Sequence, residues 1–577
     1  MRPKVLAIDY DGTIAQHGVC GPEVRAALAE VRARGLAVVV VTGRRLADLR
    51  AVAGDLRFAD AVVGENGAVY TIPGTGRSSV LAARPPDAFV ARLRAEGIDI
   101  AVGECVVEAH ARDATAILRV IREMELPLAI LFNRGRLMVL PQSVSKGTGL
   151  RQALRALRLS PHNTIAIGDA ENDHELLAVS EVGVAVGWGS AVLRSVADET
   201  AAGQGPADLA PFLRTLPDRS VLRATGPVRR RLLLGHAADG RELSLAVRGR
   251  NVLVAGEPRS GKSWVAGLLC EQLILHGYTV CVIDPEGDYL TLEPLPNVMI
   301  VGGDDPLPSP RELARLLRHA DVSLVVDLSR KPRDEKVEYT ERLLAMLMVM
   351  RRAHGVPHRI VVDEAHYFLG DGNVPELVDL DMQGYTFVTY RVSALPHALL
   401  EASRVVLVSQ ESDAREVEAL HRFFHGRGTA EDWRREMASL ALGEVALLSA
   451  AEEAGGQVRR LHLIPRLTPH VRHRSKYIDV PVSARHAFVF TDTHRPTGLR
   501  ARTLQEFVTV VCALPAGVLE GHLQRADFSR WIADVYGDIP LARELSALEE
   551  AFAIGHVLDP AERIAELVRE RYGPGGD

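Results

Sequence analysis

The chain has 577 residues, enough for three or four domains at the usual ~100–200 residues each. Hydrophobic residues make up 47% and charged residues 25%, a balance that buries real cores and excludes wholesale disorder. A net charge of -6 argues against a uniformly basic nucleic-acid binder, although a local basic groove is compatible with that total.

From the N-terminus, short β-branched runs alternate with amphipathic patterns over residues 1–215. Val5 to Ile8, Leu36 to Val41, Ala61 to Val63 and Thr164 to Ile167 read as strands buried on both faces, with helices at Pro22 to Arg34 and Gly149 to Arg158. That alternation predicts a parallel sheet flanked by helices. Residues 84–140 break the pattern with helix, strand, helix and a hairpin signal at Asn133-Arg134-Gly135, so a small α+β insert over the sheet is expected. Gln204-Gly205-Pro206 and Thr225-Gly226-Pro227 mark a boundary near 215–230. A second α/β pattern follows, with strands at Asn251 to Ala255, Thr279 to Ile283, Ser323 to Asp327, Arg359 to Val362, Tyr385 to Thr389 and Val405 to Val408. Residues 500–572 show apolar positions at helical period, with Trp531 as a core anchor. The predicted domains are therefore 1–215, 216–470 and a helical 471–577.

Cys20, Cys105, Cys270, Cys281 and Cys512 lack C-x-x-C spacing, so neither a disulfide framework nor a zinc knuckle is expected. Asp9 comes too early for a signal-peptide apolar region, and no apolar run nears the ~18 residues of a bilayer span. The expectation is a soluble cytoplasmic protein without a membrane partner. Only 6 of the 68 cations are lysines, so each lysine points to chemistry that the planar guanidinium does not replace.

Asp9-Tyr10-Asp11-Gly12-Thr13 follows a buried strand, so two carboxylates leave the carboxyl end of the sheet beside a turn. Thr42-Gly43-Arg44 ends the next strand, Lys146 opens a helix, and Gly168-Asp169-Ala170-Glu171-Asn172-Asp173 ends another strand. Carboxylates, a hydroxyl and an ammonium converging at strand ends suit a hard cation and a phosphate. The order D-x-D-G-T, T-G-R, lone Lys and G-D-x-x-N-D resembles the haloacid-dehalogenase-like (HAD) phosphatases. With Glu65-Asn66-Gly67-Ala68 and the insert, it resembles their α/β-capped, Cof- and phosphoglycolate-phosphatase-like subclass. The resemblance implies that Asp9 attacks phosphorus to form an aspartyl phosphate and that Asp11 acts as general acid and base. It implies Mg²⁺ held by Asp9, the Asp11 carbonyl and Asp169, with Asp173 supporting that shell. Thr42, Gly43 and Lys146 are the implied phosphate binders, and the implied substrate is a small phosphorylated sugar or acid.

Gly256-Glu257-Pro258-Arg259-Ser260-Gly261-Lys262-Ser263 matches G-x-x-x-x-G-K-S/T between a strand and a helix. Such a loop wraps nucleotide phosphates with backbone N–H groups, here from Gly256 through Arg259, Ser260 and Gly261. Lys262 reaches the β/γ oxygens and Ser263 ligates Mg²⁺. Val362-Asp363-Glu364-Ala365-His366 ends a strand in two acids, one for the metal and one to polarise the attacking water. With Asp284-Pro285-Glu286-Gly287-Asp288-Tyr289, Thr389-Tyr390-Arg391 and Gly443-Glu444, residues 232–465 resemble the HerA-like branch of P-loop ATPases. That resemblance implies ATP as ligand and a homo-oligomer, in the family a hexameric ring completed by a neighbour's arginine, with Arg391 and Arg404 as candidates. Tyr390 stands where the family has Gln, and the phosphatase replaces the family's preceding β-barrel, which leaves DNA translocation an open expectation.

The expected fold class is thus α/β multidomain: a Rossmann-like phosphatase sheet with a small α+β cap, a RecA-like ATPase domain and a small, mostly helical C-terminal domain. Two rival readings stay open here. One is a nucleic-acid end-processing 3′-phosphatase/5′-kinase, with a nucleic-acid phosphate end as substrate and Asp284 as the base. The other is an ATP-switched scaffold that organises phosphatase sites. His421 and His425 at i, i+4, and the runs Arg229-Arg230-Arg231 and Arg434-Arg435, read as solvated helix and surface positions.

Overall fold

Unbroken apolar runs form the spine of both large sheets. Every side chain of Val5–Asp9 and of Thr164–Gly168 is buried, which explains why these strands show no polar alternation. Leu6 and Ile8 face one layer, packing with Leu28 of helix Pro22–Ala33 and Leu213 of helix Leu209–Thr215. Val5 and Ala7 face the other, against Leu150 and Leu154 of helix Lys146–Leu157 and Leu176 of helix His174–Val179. The computed structural model describes residues 2–133, 135–219, 230–248, 250–370, 372–424, 428–449, 458–468, 482, 486–492, 495–536, 538–556 and 559–572. His425, Arg229 and the Thr225-Gly226-Pro227 signal lie outside them.

The first sheet has 8 strands in the order Glu199–Ala201, Val182–Val186, Thr164–Gly168, Val5–Asp9, Ala37–Val41, Ala61–Gly64, Val69–Ile72, Arg77–Val80. The first six run parallel, and the last two return antiparallel towards the cap. The cap is a 4-stranded antiparallel sheet, Leu128–Asn133, Arg136–Pro141, Val107–His110, Ala101–Val102. Helices Asp87–Ala95 and Ala114–Glu123 cover it through Phe89, Leu93, Ile117 and Val120.

The second sheet has 11 strands. Val405–Val408, Val252–Ala255, Tyr385–Thr389, Arg359–Val362, Val280–Asp284, Ser323–Asp327 and Val298–Gly302 lie side by side and parallel. Beyond Val405–Val408 the sheet continues antiparallel with Glu444–Ser449, Arg459–Leu463, Arg231–Ala237 and Glu242–Ala246. The described residues of the C-terminal part between Leu504 and Tyr572 are mostly helical, with a ribbon of Phe488–Asp492 and Arg495–Ala501 laid against them. Phe488, Phe507, Phe528 and Trp531 share its core. No helix among the described residues is long and apolar enough to cross a membrane.

The two sheets meet at the amino ends of their strands. His162, just before Thr164–Gly168, stacks on Tyr278, just before Val280–Asp284, with ring centroids 3.7 Å apart. The Tyr278 hydroxyl donates to Glu181 at 2.8 Å, and Arg230 donates to the same oxygen at 2.8 Å. Thr279 donates its N–H to His358 Nδ1 at 2.8 Å, which leaves Nε2 to donate to Asn163 Oδ1 at 3.2 Å. Ligand sites of doubly wound sheets lie at the carboxyl ends, so this joint turns the two carboxyl faces away from each other.

Burial drives His358 well below the ordinary imidazole value and lowers His162 too, against the pull of Glu181. Both rings are thus neutral when folded and take up protons on unfolding. Their stabilisation is fully present above about pH 6.5 and is lost as pH falls below it. Denaturation midpoints should drop on acidification from neutral pH towards 5.5, and His358→Asn should flatten that slope. An unchanged slope in the variant would remove His358 from the joint's energetics.

Candidate active sites

In the first site, the strand Val5–Asp9 delivers Asp9 to the carboxyl edge, where it is 3% exposed. Lys146 Nζ donates to Asp9 Oδ1 at 2.7 Å and to Asp173 Oδ1 at 2.6 Å. Thr13 Oγ1 donates to Asp9 Oδ2 at 3.0 Å and lies 3.2 Å from Asp169 Oδ1. Asp173 accepts the backbone N–H groups of Asp169 and Ala170 at 3.0 Å each, which fixes the turn carrying Asp169. Carboxylate oxygens of Asp9, Asp169 and Asp173 lie within 4.8 Å of one another, all three residues buried.

Lys146 owes its place to the local sequence. Ser145 caps helix Lys146–Leu157 in a capping box with Thr148, so Lys146 sits in the first turn, where the helix end favours anions. The helix is pressed against Gly67, whose φ is +105° and where an added Cβ would lie 1.8 Å from the Ser145 carbonyl oxygen. Next to it, buried Glu65 accepts N–H groups of Glu104, Cys105 and Val106, tying the cap to the core. Burial, with Asp173 and Asp169 close by, pushes the Asp9 carboxyl well above its usual value, and Lys146 opposes this. Burial alone would depress Lys146, but Asp173 and Asp9 outweigh it and hold the ammonium above its ordinary value.

Three buried carboxylates with one ammonium leave an excess of negative charge, and an all-oxygen donor set of this kind suits a hard divalent cation. Thr42 is buried at the end of its strand, and with Gly43 it lines a cavity of about 520 Å³ that also opens on Asp9, Lys146 and Asp169. Asp11 behaves differently from the other acids. Its side chain points to Arg44, which grips it with Nε at 2.5 Å and Nη2 at 2.7 Å, outside the buried acid cluster. Arg44 was visible in the T-G-R run but had no role in the sequence reading. Arg45, Glu108 and Arg136, from core and cap, make the rest of the cavity wall strongly charged.

In the second site, Gly256 follows strand Val252–Ala255 at φ +146°, and a Cβ there would lie 2.1 Å from Ser409 Oγ. Ser260 Oγ pairs with Ser409 Oγ at 2.5 Å, Gly261 turns the chain at φ +99°, and helix Lys262–Leu275 begins. Lys262 Nζ donates to the Glu257 carbonyl at 3.0 Å, folded back over its own loop. Ser263 Oγ donates to Asp288 Oδ2 at 2.5 Å. Asp363 is 1% exposed and Glu364 6%, both at the end of strand Arg359–Val362, and Glu364 shares a cavity of about 540 Å³ with Lys262 and Tyr390. Burial, reinforced by Arg391 and Lys262, lowers His366 to about 3, so its 3.5 Å contact with Glu364 is no ion pair.

Asp288 is the residue the sequence reading left unused; its motif was the available signal. Asp284 of the same motif is fully buried and accepts N–H groups of Glu286, Gly287, Asp288 and Tyr289, so it builds the turn that aims Asp288 at Ser263. The far wall of the cavity is apolar, from Trp264, Leu442, Val445 and Ile464. Arg466, 5.5 Å from the Trp264 ring and paired with buried Glu271 at 2.7 Å, fixes that wall. Arg391 is exposed beside the loop, whereas Arg404 lies at the amino end of its strand. His421 Nε2 donates to the Gly428 carbonyl, 3.1 Å away.

The family model for haloacid dehalogenase-like hydrolases matches residues 6–78 and 111–204, and the model for the central domain of helicase HerA matches residues 241–348. A phosphoglycolate phosphatase of Halorubrum lacusprofundi is 30% identical over 205 residues, 33% of this chain and 88% of that protein. One from Methanoculleus marisnigri is 27% identical over 202 residues, 32% of this chain and 83% of its own. Among solved structures, a haloacid dehalogenase-like hydrolase from Bacteroides thetaiotaomicron shares 16% identity, covers 37% of this chain and 98% of its own, and superposes with a TM-score of 0.33. Through its N-terminal domain the chain belongs to the haloacid dehalogenase-like hydrolases, and it carries a HerA-like domain fused behind them.

Proposed function

We propose that the chain is a two-site enzyme, a Mg²⁺-dependent phosphomonoester phosphatase joined to an ATP-hydrolysing domain. The observation that carries the first half is the buried Asp9, Asp169 and Asp173 cluster bridged by Lys146. Asp9, Asp169 and the Asp11 carbonyl would hold the cation, with Asp173 behind them. Mg²⁺, when bound, supplies charge neutralisation between an anionic nucleophile and an anionic ester. Lys146 and the Thr42-Gly43 turn orient the phosphoryl group. Asp9 attacks phosphorus in line, giving an aspartyl phosphate and expelling the alkoxide. Asp11 protonates that leaving oxygen, then takes a proton from the water that attacks the acyl phosphate. The Arg44 fork has to yield for Asp11 to reach inward, so it gates this proton transfer.

The charged wall of Arg45, Glu108 and Arg136 favours a small polar leaving group. Phosphoglycolate, the substrate in the names of the relatives, is of that kind. In the second site, Lys262 and the loop amides would take the phosphates of ATP, and Ser263, Asp288 and Asp363 would hold its metal. Glu364 aligns water, and Trp264 walls the base. The end-kinase rival needs Asp284 as its base, and four backbone N–H groups already occupy that carboxylate. The two carboxyl faces also point apart, an arrangement that does not favour handing a nucleic-acid end from one site to the other.

The test is a paired assay on the full chain. Phosphate release is scored on phosphoglycolate, sugar phosphates and DNA 3′-phosphate ends, and ATP consumption is scored with and without DNA. Release from small esters that stops with EDTA and returns with Mg²⁺ is expected. Label passing from ATP to a 5′-hydroxyl end would overturn the reading in favour of the kinase. Native mass with ATP decides the ring: a hexamer supports a HerA-type motor, and a monomer removes it.

A further inference from the structure

Arg259 sits inside the phosphate loop at φ +69°, in the left-handed region that side-chain-bearing residues rarely adopt. Its guanidinium reaches out of the loop to the C-terminal domain. Arg259 Nη1 donates to the Val535 carbonyl at 3.1 Å, and its Cζ lies 4.4 Å from the centre of the Tyr536 ring. Val535 and Tyr536 close a π-helical turn, Ile532–Tyr536, a rare geometry that concentrates at functional places. That turn is anchored in the aromatic core, with Ile532 fully buried and the Trp531 ring 5.1 Å from Tyr536.

We propose that the C-terminal domain braces the phosphate loop in cis, with Tyr536 as the positioning residue that holds Arg259 and so sets the loop for nucleotide. This rests on the reading of the loop as an ATP site. A plug would instead fill the nucleotide cavity. Among the described residues, the cavity bounded by Lys262, Trp264 and Leu442 has no wall from the C-terminal domain. A neighbouring cavity of about 530 Å³ shares Pro258, Arg259, Ser260 and Tyr390 with it and is lined from the domain by Arg502, Val535 and Tyr536. The domain therefore contacts the loop beside the nucleotide cavity. The Tyr536 hydroxyl is buried without a hydrogen-bond partner among the described residues, so the ring face, not the hydroxyl, makes the contact. By reciprocity, ATP then tightens the docking of the domain as much as the docking favours ATP.

The experiment is calorimetric titration of full-length protein with ATP and Mg²⁺, comparing the parent with Tyr536→Phe, Tyr536→Ala and Arg259→Ala. Both alanine variants are expected to bind ATP roughly ten-fold more weakly, with little further loss when combined, because each removes the Arg259–Tyr536 contact. Tyr536→Phe keeps the ring and is expected to stay within about two-fold of the parent. Hydrogen exchange of residues 528–536 should slow on adding ATP to the parent and not to Arg259→Ala. Parent-like ATP binding by either alanine variant, equal losses in Phe and Ala, or an exchange pattern unmoved by ATP would each overturn the brace. Failure of the parent itself to bind ATP would instead overturn the nucleotide reading and take the brace with it.

Discussion

Asp9→Asn is expected to abolish phosphate release from small esters, by at least about a thousand-fold, while ATP consumption stays at the parent's rate. The substitution keeps the size of the side chain and one acceptor oxygen, for Thr13 Oγ1 or for Lys146 Nζ but not both, and an amide does not attack phosphorus. It also removes one of the three buried charges that face Lys146 and the cation position. Taking a charge out of an over-anionic cluster offsets the acceptor that Lys146 loses, so the variant is expected to melt close to the parent. Lys146→Met is the contrasting case. It leaves Asp9 and Asp173 buried without their ammonium and should cost stability as well as activity. A fall in both activities in Asp9→Asn would mean that the two sites are coupled through the joint.

Glu364→Gln is expected to cut ATP hydrolysis by about 10²–10⁴-fold while ATP affinity stays close to that of the parent. Glu364 lines the loop's cavity beside Lys262 and Tyr390 but comes from the strand end at φ +47°, a strained position held by its buried surroundings. His366 beside it stays neutral, and its Nδ1 is taken by Thr389 Oγ1 at 2.9 Å. Lys262→Ala should behave differently, losing binding as well as turnover. Binding lost in both variants would show that Glu364 shapes the loop instead of polarising water.

The order of strands and the acids at their carboxyl ends were legible because each is local. An apolar run such as Val5 to Ile8 announces a buried strand, and the residues that follow it announce the site. Predicted strands at Ser323–Asp327, Arg359–Val362, Tyr385–Thr389 and Val405–Val408 occupy those residues in the structure. The edge strand Val298–Gly302 was missed although Val298-Met299-Ile300-Val301 is an apolar run; at the sheet edge it is only half-buried. The antiparallel additions Arg231–Ala237 and Arg459–Leu463 were also missed; they pair with each other across more than two hundred residues and each with a sequence neighbour. In the C-terminal part the helices showed at their period, but the ribbon Arg495–Ala501, exposed along most of its length, gave no strand alternation.

In the sites, the missing contacts are those between distant segments. The T-G-R run could not say that Arg44 grips Asp11 and keeps that side chain out of the acid cluster. Nor could the second motif say that Asp284 builds a turn while Asp288 meets Ser263. The His162–Tyr278 stack and the Arg259–Tyr536 contact each join residues that no local pattern links. These are the contacts that turn three neighbouring units into one molecule.

The most direct measurement is a rapid acid quench of the full chain while it turns over a small ester labelled in its phosphoryl group, with Mg²⁺ present, followed by peptide mapping. A label on the peptide that contains Asp9, released by hydroxylamine and absent from Asp9→Asn, is the expected result. Phosphate produced at the parent's rate with no label held on the protein, or with label on any other peptide, would contradict it.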